Sequence, residues 1–234
     1  MNIYHNNKND NDLIIFFSGW GIDYRTFLKI NTHQSLLIIS DYNSINKFKQ
    51  INSILSKYKN HFVITWSFGV FVYTNILDRI NINPLKVIAI NGTAYPIDNN
   101  YGIPERIFNI TASNLTKESL IKFDHNCFDN EIHYKTNLES TPRRDISSLY
   151  SELLNLQDVY YNKSQTISDN SKTPSKTPKN YNFDTAYIST NDRIFSYKNQ
   201  LNYWTTQTNT VIKEINTGHF PFYLWNRWED LIES

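Results

Sequence analysis

The chain has 234 residues, of which 40% are hydrophobic, 15% aromatic and 19% charged, and its formal net charge is +1. This length suits one α/β domain or two small ones, and the apolar content excludes an intrinsically disordered chain. The near balance of charges excludes a global electrostatic field that would draw the protein to nucleic acid or to an anionic membrane.

The sequence also limits the compartment and the metal chemistry. Cys127 is the single cysteine, so an intramolecular disulfide and a zinc site built on thiolates are both excluded. The polar N-terminus lacks the features of a signal peptide, and the longest apolar run, residues 13–17, is too short to cross a bilayer. We therefore expect a soluble, cytoplasmic protein that does not associate with membranes.

Short apolar runs recur along the first ninety residues and again near the end of the chain. Their length and polar boundaries predict strands that are buried on both faces. Segments with helical spacing lie between them, and this alternation predicts a mostly parallel sheet of six or seven strands with flanking helices. The predicted strands are residues 13–17, 36–39, 62–65, 87–90, 185–189 and 211–215, and the predicted core helices are 48–58, 71–80 and 224–232.

The segment between the fourth and fifth predicted strands has a different pattern. Residues 115–123 and 146–156 show helical spacing, which predicts a helical lid over residues 95–182 inserted into a core of residues 1–94 and 183–234. Residues 164–180 are rich in Ser, Thr, Lys and Pro and contain a repeated S-K-T-P. This composition predicts a flexible loop, because little apolar surface is available to offset the entropy of ordering it.

Ser67 lies in the stretch T-W-S-F-G-V, directly after a predicted strand and directly before a helical pattern. This context is typical of a nucleophile elbow, in which a sharp turn exposes the serine hydroxyl and a small residue two positions later lets strand and helix approach. Gly69 meets that requirement, whereas Thr65 departs from G-x-S-x-G. A structural serine in a turn is the alternative interpretation.

The first predicted strand runs into Ser-Gly-Trp-Gly at residues 18–21, which we call the SGWG loop. α/β-Hydrolases place the second oxyanion donor at such a strand end, so the backbone N–H groups of Trp20 and Phe68 are the candidate pair of donors. A tight turn that needs glycine, with Trp20 as a core aromatic, is the alternative.

Asp192 and His219 each follow a predicted strand late in the chain. The order serine, acid, histidine is that of the α/β-hydrolase fold, and the active sites of open α/β sheets lie at the carboxyl ends of the strands. The sequence therefore predicts a catalytic triad of Ser67, Asp192 and His219.

The motifs together resemble the pimeloyl-acyl carrier protein methyl ester esterases of biotin synthesis, in particular the BioG-type branch of the α/β-hydrolases. The resemblance covers most of the chain. It is carried by FFSGWGID near the start, SDY at residues 40–42, TWSFGV at the elbow, AINGTAYPIDNNYGIPERIFNIT at 89–111, NDRIF at 191–195 and GHFPF at 218–222.

The resemblance implies that Ser67 attacks the methyl ester carbonyl of a pimeloyl chain carried by acyl carrier protein on phosphopantetheine. His219 would take the serine proton, Asp192 would orient His219, and Trp20, Phe68 and Phe123 would line an apolar slot for the methylene chain. The reaction requires neither a metal nor a cofactor. Other members often have histidine at the position of Ser18.

The lid motif F-x-R-R of the family appears here as F-D-H-N-C at residues 123–127, without the arginines. Arg143 and Arg144 could supply the contact with the acidic carrier protein, although a solvated helix start is an equally good interpretation. Residues 101–146 contain six Lys and Arg against seven Asp and Glu, so the carrier as partner is implied by the resemblance alone.

Two other functions stay open at this point: a carboxylesterase of free short-chain esters, and a catalytically silent α/β-hydrolase that acts as a binding module. The sequence does not specify an oligomeric state.

Overall fold

The computed structural model describes residues 1–139, 143–167 and 178–233, which form a seven-stranded sheet flanked by helices. The strands are β1 (Asn2–Asn6), β2 (Asp12–Phe17), β3 (Ser35–Ser40), β4 (Asn60–Trp66), β5 (Lys86–Ile90), β6 (Thr185–Ser189) and β7 (Val211–Ile215). Their order in the sheet is β1-β3-β2-β4-β5-β6-β7, and every neighbouring pair is parallel except β1 with β3. The predicted mostly parallel sheet is confirmed.

Strand β1 is the strand that the apolar pattern did not predict. It pairs antiparallel with β3 at the edge of the sheet, with Tyr4 opposite Ile38, and most of its residues are half-buried. An edge strand hydrogen-bonds on one side only, so it can form from a polar sequence such as NIYHN. The interior strands β2 and β3, in contrast, are almost completely buried and carry the continuous apolar runs.

Four helices belong to the sheet core: α1 (Phe48–Leu55), α2 (Phe68–Ile76), α7 (Tyr197–Trp204) and α8 (Trp228–Glu233). Helix α2 begins three residues earlier than predicted, immediately after Ser67, and it is short because a 3-10 turn (Leu77–Arg79) follows. Helix α7 was not predicted. Its buried side chains include Asn199 and Gln200, so its buried face is not marked by apolar residues alone.

The segment between β5 and β6 is helical, as expected. It contains α3 (Glu105–Ser113), α4 (Lys117–Asn126), α5 (Glu131–Tyr134), a π-helical turn (Lys135–Glu139) and α6 (Ile146–Ile167). The flexible loop predicted from residue 164 is corrected at its start, because α6 continues to Ile167, and residues 168–177 lie outside the described residues. We call the described residues between 95 and 182 the insertion. Its boundaries as a separate domain stay a prediction.

Two apolar clusters cover the two faces of the sheet. The alternating side chains of β2 separate them, with Ile15 and Phe17 in one cluster and Ile14 and Phe16 in the other. Leu149, Leu153 and Leu156 of α6 belong to the first cluster, and each is at most 2% exposed. Helix α6 therefore packs on the sheet core through a buried leucine stripe with helical spacing. Within the described residues, no helix is both long and apolar enough to span a membrane.

Candidate active site

Ser67, Asp192 and His219 follow strands β4, β6 and β7, which all point the same way in the sheet. Because the carboxyl ends of parallel strands meet at one edge, the loops that carry these three residues come together there. The site is therefore built by loops at one edge of the sheet.

Ser67 has a positive backbone φ of 57°, between the end of β4 and the start of α2. A serine in this conformation is strained and is held only by its surroundings. Two glycines make room for the turn: a Cβ at Gly69 would lie 2.1 Å from the carbonyl oxygen of Phe17, and one at Gly92 would lie 2.3 Å from that of Ser67. The elbow thus depends on glycine two residues after the serine and on a second glycine that follows β5.

The three side chains predicted as the triad form a continuous hydrogen-bonded chain. Nε2 of His219 lies 2.9 Å from Oγ of Ser67, and Nδ1 of His219 lies 2.8 Å from Oδ2 of Asp192. All three residues are buried. The structure brings them together in the geometry that activates a serine hydroxyl, and their catalytic roles stay predictions.

Asp192 is held by groups of its own loop and of α7. Its Oδ1 accepts hydrogen bonds from the N–H groups of Ile194 and Phe195, at 2.8 and 2.9 Å, and its Oδ2 accepts one from Nε2 of Gln200 at 3.0 Å. These donors satisfy the lone pairs that face away from His219, so the carboxylate has a fixed orientation. Gln200 was not identified from the sequence, because it lies on the unpredicted helix.

His219 is held by Trp66, the last residue of β4, and by Asn91, the residue directly after β5. Nε1 of Trp66 and Nδ2 of Asn91 each donate to the His219 carbonyl oxygen at 2.9 Å. The Asn91 side chain also accepts a hydrogen bond from the Ser189 N–H at 2.8 Å. It therefore links β6, the strand before Asp192, to the loop that carries His219. The imidazole lies parallel to the Phe195 ring, with centroids 5.8 Å apart.

Asn91 has no assigned role in the sequence-based interpretation, although it lies in the stretch at residues 89–111 that carries part of the family resemblance. Its position directly after β5, between the strands that carry Ser67 and Asp192, is a signal that could have identified it. It is fully buried with a φ of 44°, a conformation that asparagine tolerates better than most residues.

The candidate oxyanion side is formed by the SGWG loop and the start of α2. Phe68 is the first residue of α2, so its N–H has no acceptor within the helix. Gly19 packs against Ser67, since a Cβ at Gly19 would meet the Ser67 Cβ at 3.0 Å. The loop is thus next to the serine, as expected, and the donor roles of Trp20 and Phe68 stay predictions.

A cavity of about 140 Å³ opens beside Ser67 and His219. Trp20, Phe68 and Phe123 all line it, and the Trp20 and Phe123 rings lie edge to face with centroids 5.2 Å apart. The sequence-based prediction places these three aromatics along a slot for substrate, and the structure puts them on one cavity. Further apolar walls come from the insertion, namely Ile103, Ile107, Phe108 and Leu153.

Arg143 and Arg144 do not form a solvated helix start. Arg143 forms an ion pair with Asp124 and donates from Nη1 to the Gly21 carbonyl oxygen at 3.0 Å. Arg144 forms ion pairs with Glu152 and Asp41, and both guanidinium groups are mostly buried. Burial raises the pKa of the Asp124 carboxyl, and the charge of Arg143 opposes that effect. A contact of Arg143 and Arg144 with a carrier protein stays a prediction.

Cys127 also lines the cavity, but burial raises the pKa of its thiol well above its usual range. A protonated thiol is a poor nucleophile, so this direction of shift disfavours Cys127 as a nucleophile. Among residues 1–139, 143–167 and 178–233, no three His, Cys, Asp or Glu side chains are grouped as ligands for a metal ion.

Comparison with known proteins places the chain in a family. Residues 1–231 match the family model described as pimeloyl-ACP methyl esterase BioG. The crystal structure of BioG from Haemophilus influenzae superposes with a TM-score of 0.82 over 99% of both chains, at 26% sequence identity. An esterase from Exiguobacterium antarcticum superposes with a TM-score of 0.66 over 94% of this chain and 89% of its own, at 11% identity, which shows the shared α/β-hydrolase fold.

Two curated relatives carry other names. A Bacteroides fragilis protein named malonyl-acyl carrier protein O-methyltransferase is 32% identical over 201 residues, which are 86% of this chain. The match spans only 38% of that relative's length. An uncharacterised protein from Haemophilus influenzae is 28% identical over 94% of this chain and 93% of its own length.

Proposed function

The chain belongs to the BioG family of pimeloyl-ACP methyl esterases, and from that membership and the site geometry we propose a serine esterase that removes the methyl group from pimeloyl-acyl carrier protein methyl ester. The observation that carries the proposal is the contact between Nε2 of His219 and Oγ of Ser67, with Asp192 on the opposite ring nitrogen. We place the protein in biotin synthesis and in the cytoplasm as part of this proposal.

The first half of the reaction forms an acyl-enzyme. Ser67 Oγ bonds to the ester carbonyl carbon while its proton passes to Nε2 of His219, and the carbonyl oxygen becomes an oxyanion facing the N–H groups of Trp20 and Phe68. Asp192 holds the Nδ1–H of His219 and stabilises the imidazolium. The C–O bond to the methoxy group then breaks, and His219 returns the proton so that methanol leaves.

The second half consumes water. His219 takes a proton from a water molecule whose oxygen bonds to the acyl carbon, and the Ser67 ester bond breaks as the proton returns to Oγ. The products are methanol, pimeloyl-acyl carrier protein with a free carboxylate, and the unchanged enzyme. The strained backbone of Ser67 keeps its hydroxyl at the cavity, where both attacks occur.

The cavity supports a substrate with an extended apolar chain. Its aromatic and aliphatic walls suit methylene groups, and a chain that ends at Ser67 would present its terminal methyl ester there. Arg193 lines the same cavity and is exposed. We propose that Arg193 meets the phosphate of the phosphopantetheine arm, because Arg143 and Arg144 already form ion pairs within the chain.

The methyltransferase name of the Bacteroides fragilis relative does not change this proposal. That name belongs to a protein of which the match covers 38%. A serine, histidine and aspartate in hydrogen-bond contact suit ester hydrolysis, and we assign no methyl transfer to this chain.

The test is incubation of the purified protein with methyl-pimeloyl-acyl carrier protein, followed by mass spectrometry of the carrier. We expect a loss of one methylene unit with the wild type and with Ser56→Ala, an exposed serine after α1, and no loss with Ser67→Ala. Hydrolysis of p-nitrophenyl butyrate without demethylation of the carrier would keep the esterase and overturn the substrate. Inactivity on both would leave a silent binding module.

A further inference from the structure

The insertion holds the SGWG loop at three points. The Gly21 N–H donates to Oε2 of Glu152 at 3.2 Å, the Gly21 carbonyl oxygen accepts from Arg143, and Nε1 of Trp20 donates to the Leu149 carbonyl oxygen at 2.9 Å. Leu149 and Glu152 lie on α6, and Arg143 precedes it. Both polar backbone groups of Gly21 therefore depend on the insertion.

Glu152 is the centre of these contacts. It is fully buried on a helix whose neighbouring leucines join the apolar core. Its Oε1 accepts from the Tyr42 N–H at 2.8 Å, and its Oε2 accepts from Gly21 and pairs with Arg144. A buried carboxylate is unfavourable unless its partners offset the lost hydration. Here burial raises the pKa of the Glu152 carboxyl, and the charge of Arg144 and the hydrogen bonds from Tyr42 and Arg144 oppose that effect.

The other end of the SGWG loop is held by the sheet core. The Tyr42 hydroxyl donates to the Ser18 carbonyl oxygen at 2.8 Å, and the Ser18 N–H donates to Ile39 of β3 at 2.9 Å. Gly21, at the far end, has a φ of 73° and is fixed by Glu152 and Arg143. Trp20 lies between an end anchored to the sheet and an end anchored to the insertion.

We infer that Glu152 is a positioning residue for the reaction. Through the Gly21 N–H, with Arg144 as its counter-ion, Glu152 sets the backbone between Gly19 and Gly21 so that the Trp20 N–H faces the oxyanion that forms at Ser67. An oxyanion donor acts only if it is in place before charge develops, so a small displacement of this loop lowers the rate without weakening substrate binding. The inference rests on the proposed serine esterase reaction.

The test compares Glu152→Gln with Glu229→Gln. Glu229 is also a buried carboxylate that accepts from two backbone N–H groups, those of His33 and Gln34, but it lies on α8 and accepts no hydrogen bond from the SGWG loop. Glutamine has one acceptor oxygen instead of two, so Glu152→Gln leaves either the Tyr42 or the Gly21 N–H without its acceptor. Glu229→Gln can keep both N–H partners, because His33 and Gln34 donate to the same oxygen, Oε1. Both variants remove one buried carboxylate charge, and they differ in location.

Both variants are assayed with p-nitrophenyl butyrate, which does not require a carrier protein. We expect kcat of Glu152→Gln to fall about 10- to 100-fold with KM within about threefold of wild type, and Glu229→Gln to stay within about twofold. Inhibition by an alkyl trifluoromethyl ketone, whose adduct with Ser67 carries the oxyanion, should weaken by the same factor as kcat/KM. A purely structural role would not link these two quantities.

The double variant Arg144→Met/Glu152→Met guards against a folding defect, because replacing both partners of a buried ion pair by apolar groups is often tolerated. It leaves the Gly21 N–H without its acceptor, so we expect the same loss of kcat. If Glu152→Gln and the double variant both keep kcat and ketone affinity near those of Glu229→Gln, the inference is overturned while the esterase stands. Wild-type protein that hydrolyses no ester would overturn the proposed function, and the inference with it.

Discussion

The two sides of the candidate active site are held by different parts of the molecule. On the base side, Asp192 and His219 are oriented by Asn91, Trp66 and Gln200, which belong to strand ends and helices of the sheet core. On the oxyanion side, the SGWG loop is oriented largely by Arg143, Leu149 and Glu152 of the insertion.

In the proposed reaction, the sheet core thus holds the groups that determine the type of reaction, and the insertion holds the loop that adjusts its rate. The base side needs only the sheet edge, which many α/β-hydrolases share at low sequence identity. In the proposed reaction, the oxyanion side of this chain depends in addition on helix α6, and α6 also lines the cavity beside Ser67 through Leu153. We therefore expect a change in the insertion to alter substrate fit and transition-state stabilisation together.

The largest expected effect lies on the base side. His219→Ala removes the group that takes the Ser67 proton, and we expect kcat on p-nitrophenyl butyrate to fall by roughly 10⁴- to 10⁶-fold. Stopped-flow and steady-state assays measure this loss, with the unfolding midpoint as a check of folding. A variant that retains more than about one tenth of the activity would contradict the assignment of His219 as the base.

A smaller effect is expected for Asn91→Ala. This change removes the hydrogen bond from Asn91 to the His219 carbonyl oxygen and alters no group that contacts the substrate. The variant leaves the Ser189 N–H unpaired, so we expect about 1–3 kcal/mol of lost stability and a fall in kcat of about 10- to 100-fold. The stability loss is measured by urea unfolding and the kinetic loss by a steady-state assay with p-nitrophenyl butyrate.

Asn199→Ala is the matched control for Asn91→Ala. Asn199 is buried on α7 and donates to the carbonyl oxygens of Gly102 and Asn99, outside the triad. We expect a comparable loss of stability with kcat nearly unchanged. Equal kinetic effects of the two variants would show that the base side is not specifically held by Asn91.

Arg193→Gln tests whether Arg193, in the loop that follows β6 at the edge of the sheet, contacts the prosthetic arm of the carrier protein. We expect KM for methyl-pimeloyl-acyl carrier protein to rise about fivefold, since an exposed ionic contact contributes up to about 1 kcal/mol, and the increase should diminish at high salt. KM for free dimethyl pimelate should change much less. An equal rise for both substrates would exclude a contact with the prosthetic arm.

The smallest expected effect is the pH dependence of the stability that Glu229 contributes to the fold. Burial favours the neutral carboxyl, but hydrogen bonds from its own backbone, from Thr32 and from the N–H groups of His33 and Gln34 together lower the pKa of Glu229 below its usual value. A lowered folded-state pKa means that the ionised form stabilises the fold at neutral pH and that this stabilisation is lost as pH falls below about 4.5. The stability difference between wild type and Glu229→Gln should therefore shrink on acidification, which urea unfolding at several pH values measures. A constant difference would contradict the lowered pKa.

The sequence was informative where local pattern determines structure. The interior strands are continuous apolar runs, and the residues that end them, Ser67, Asp192 and His219, meet because parallel strands share an edge. Strand β1 was missed because an edge strand needs little apolar content. The last eleven residues of α6, 157–167, were missed because their sequence, QDVYYNKSQTI, is mostly polar and lacks the leucine spacing of the predicted part, 146–156.

The supporting residues were missed for another reason. Asn91 and Glu152 are polar side chains whose partners, such as Ser189 and Gly21, lie far away along the chain, and Gln200 lies on a helix that the sequence pattern did not predict. Nothing in a single sequence distinguishes a buried, paired glutamate on an amphipathic helix from an exposed one. Their roles depend on tertiary contacts that only the folded chain reveals.

The most direct test of the account is covalent labelling with an alkyl fluorophosphonate, followed by peptide mapping. The reagent reacts with a serine whose hydroxyl is activated by a neighbouring base. We predict a single adduct on Ser67, its absence in Ser67→Ala, and labelling of His219→Ala that is slower by several orders of magnitude. Unchanged labelling of Ser67→Ala, or an adduct on another residue, would contradict the assignment of Ser67 as the nucleophile.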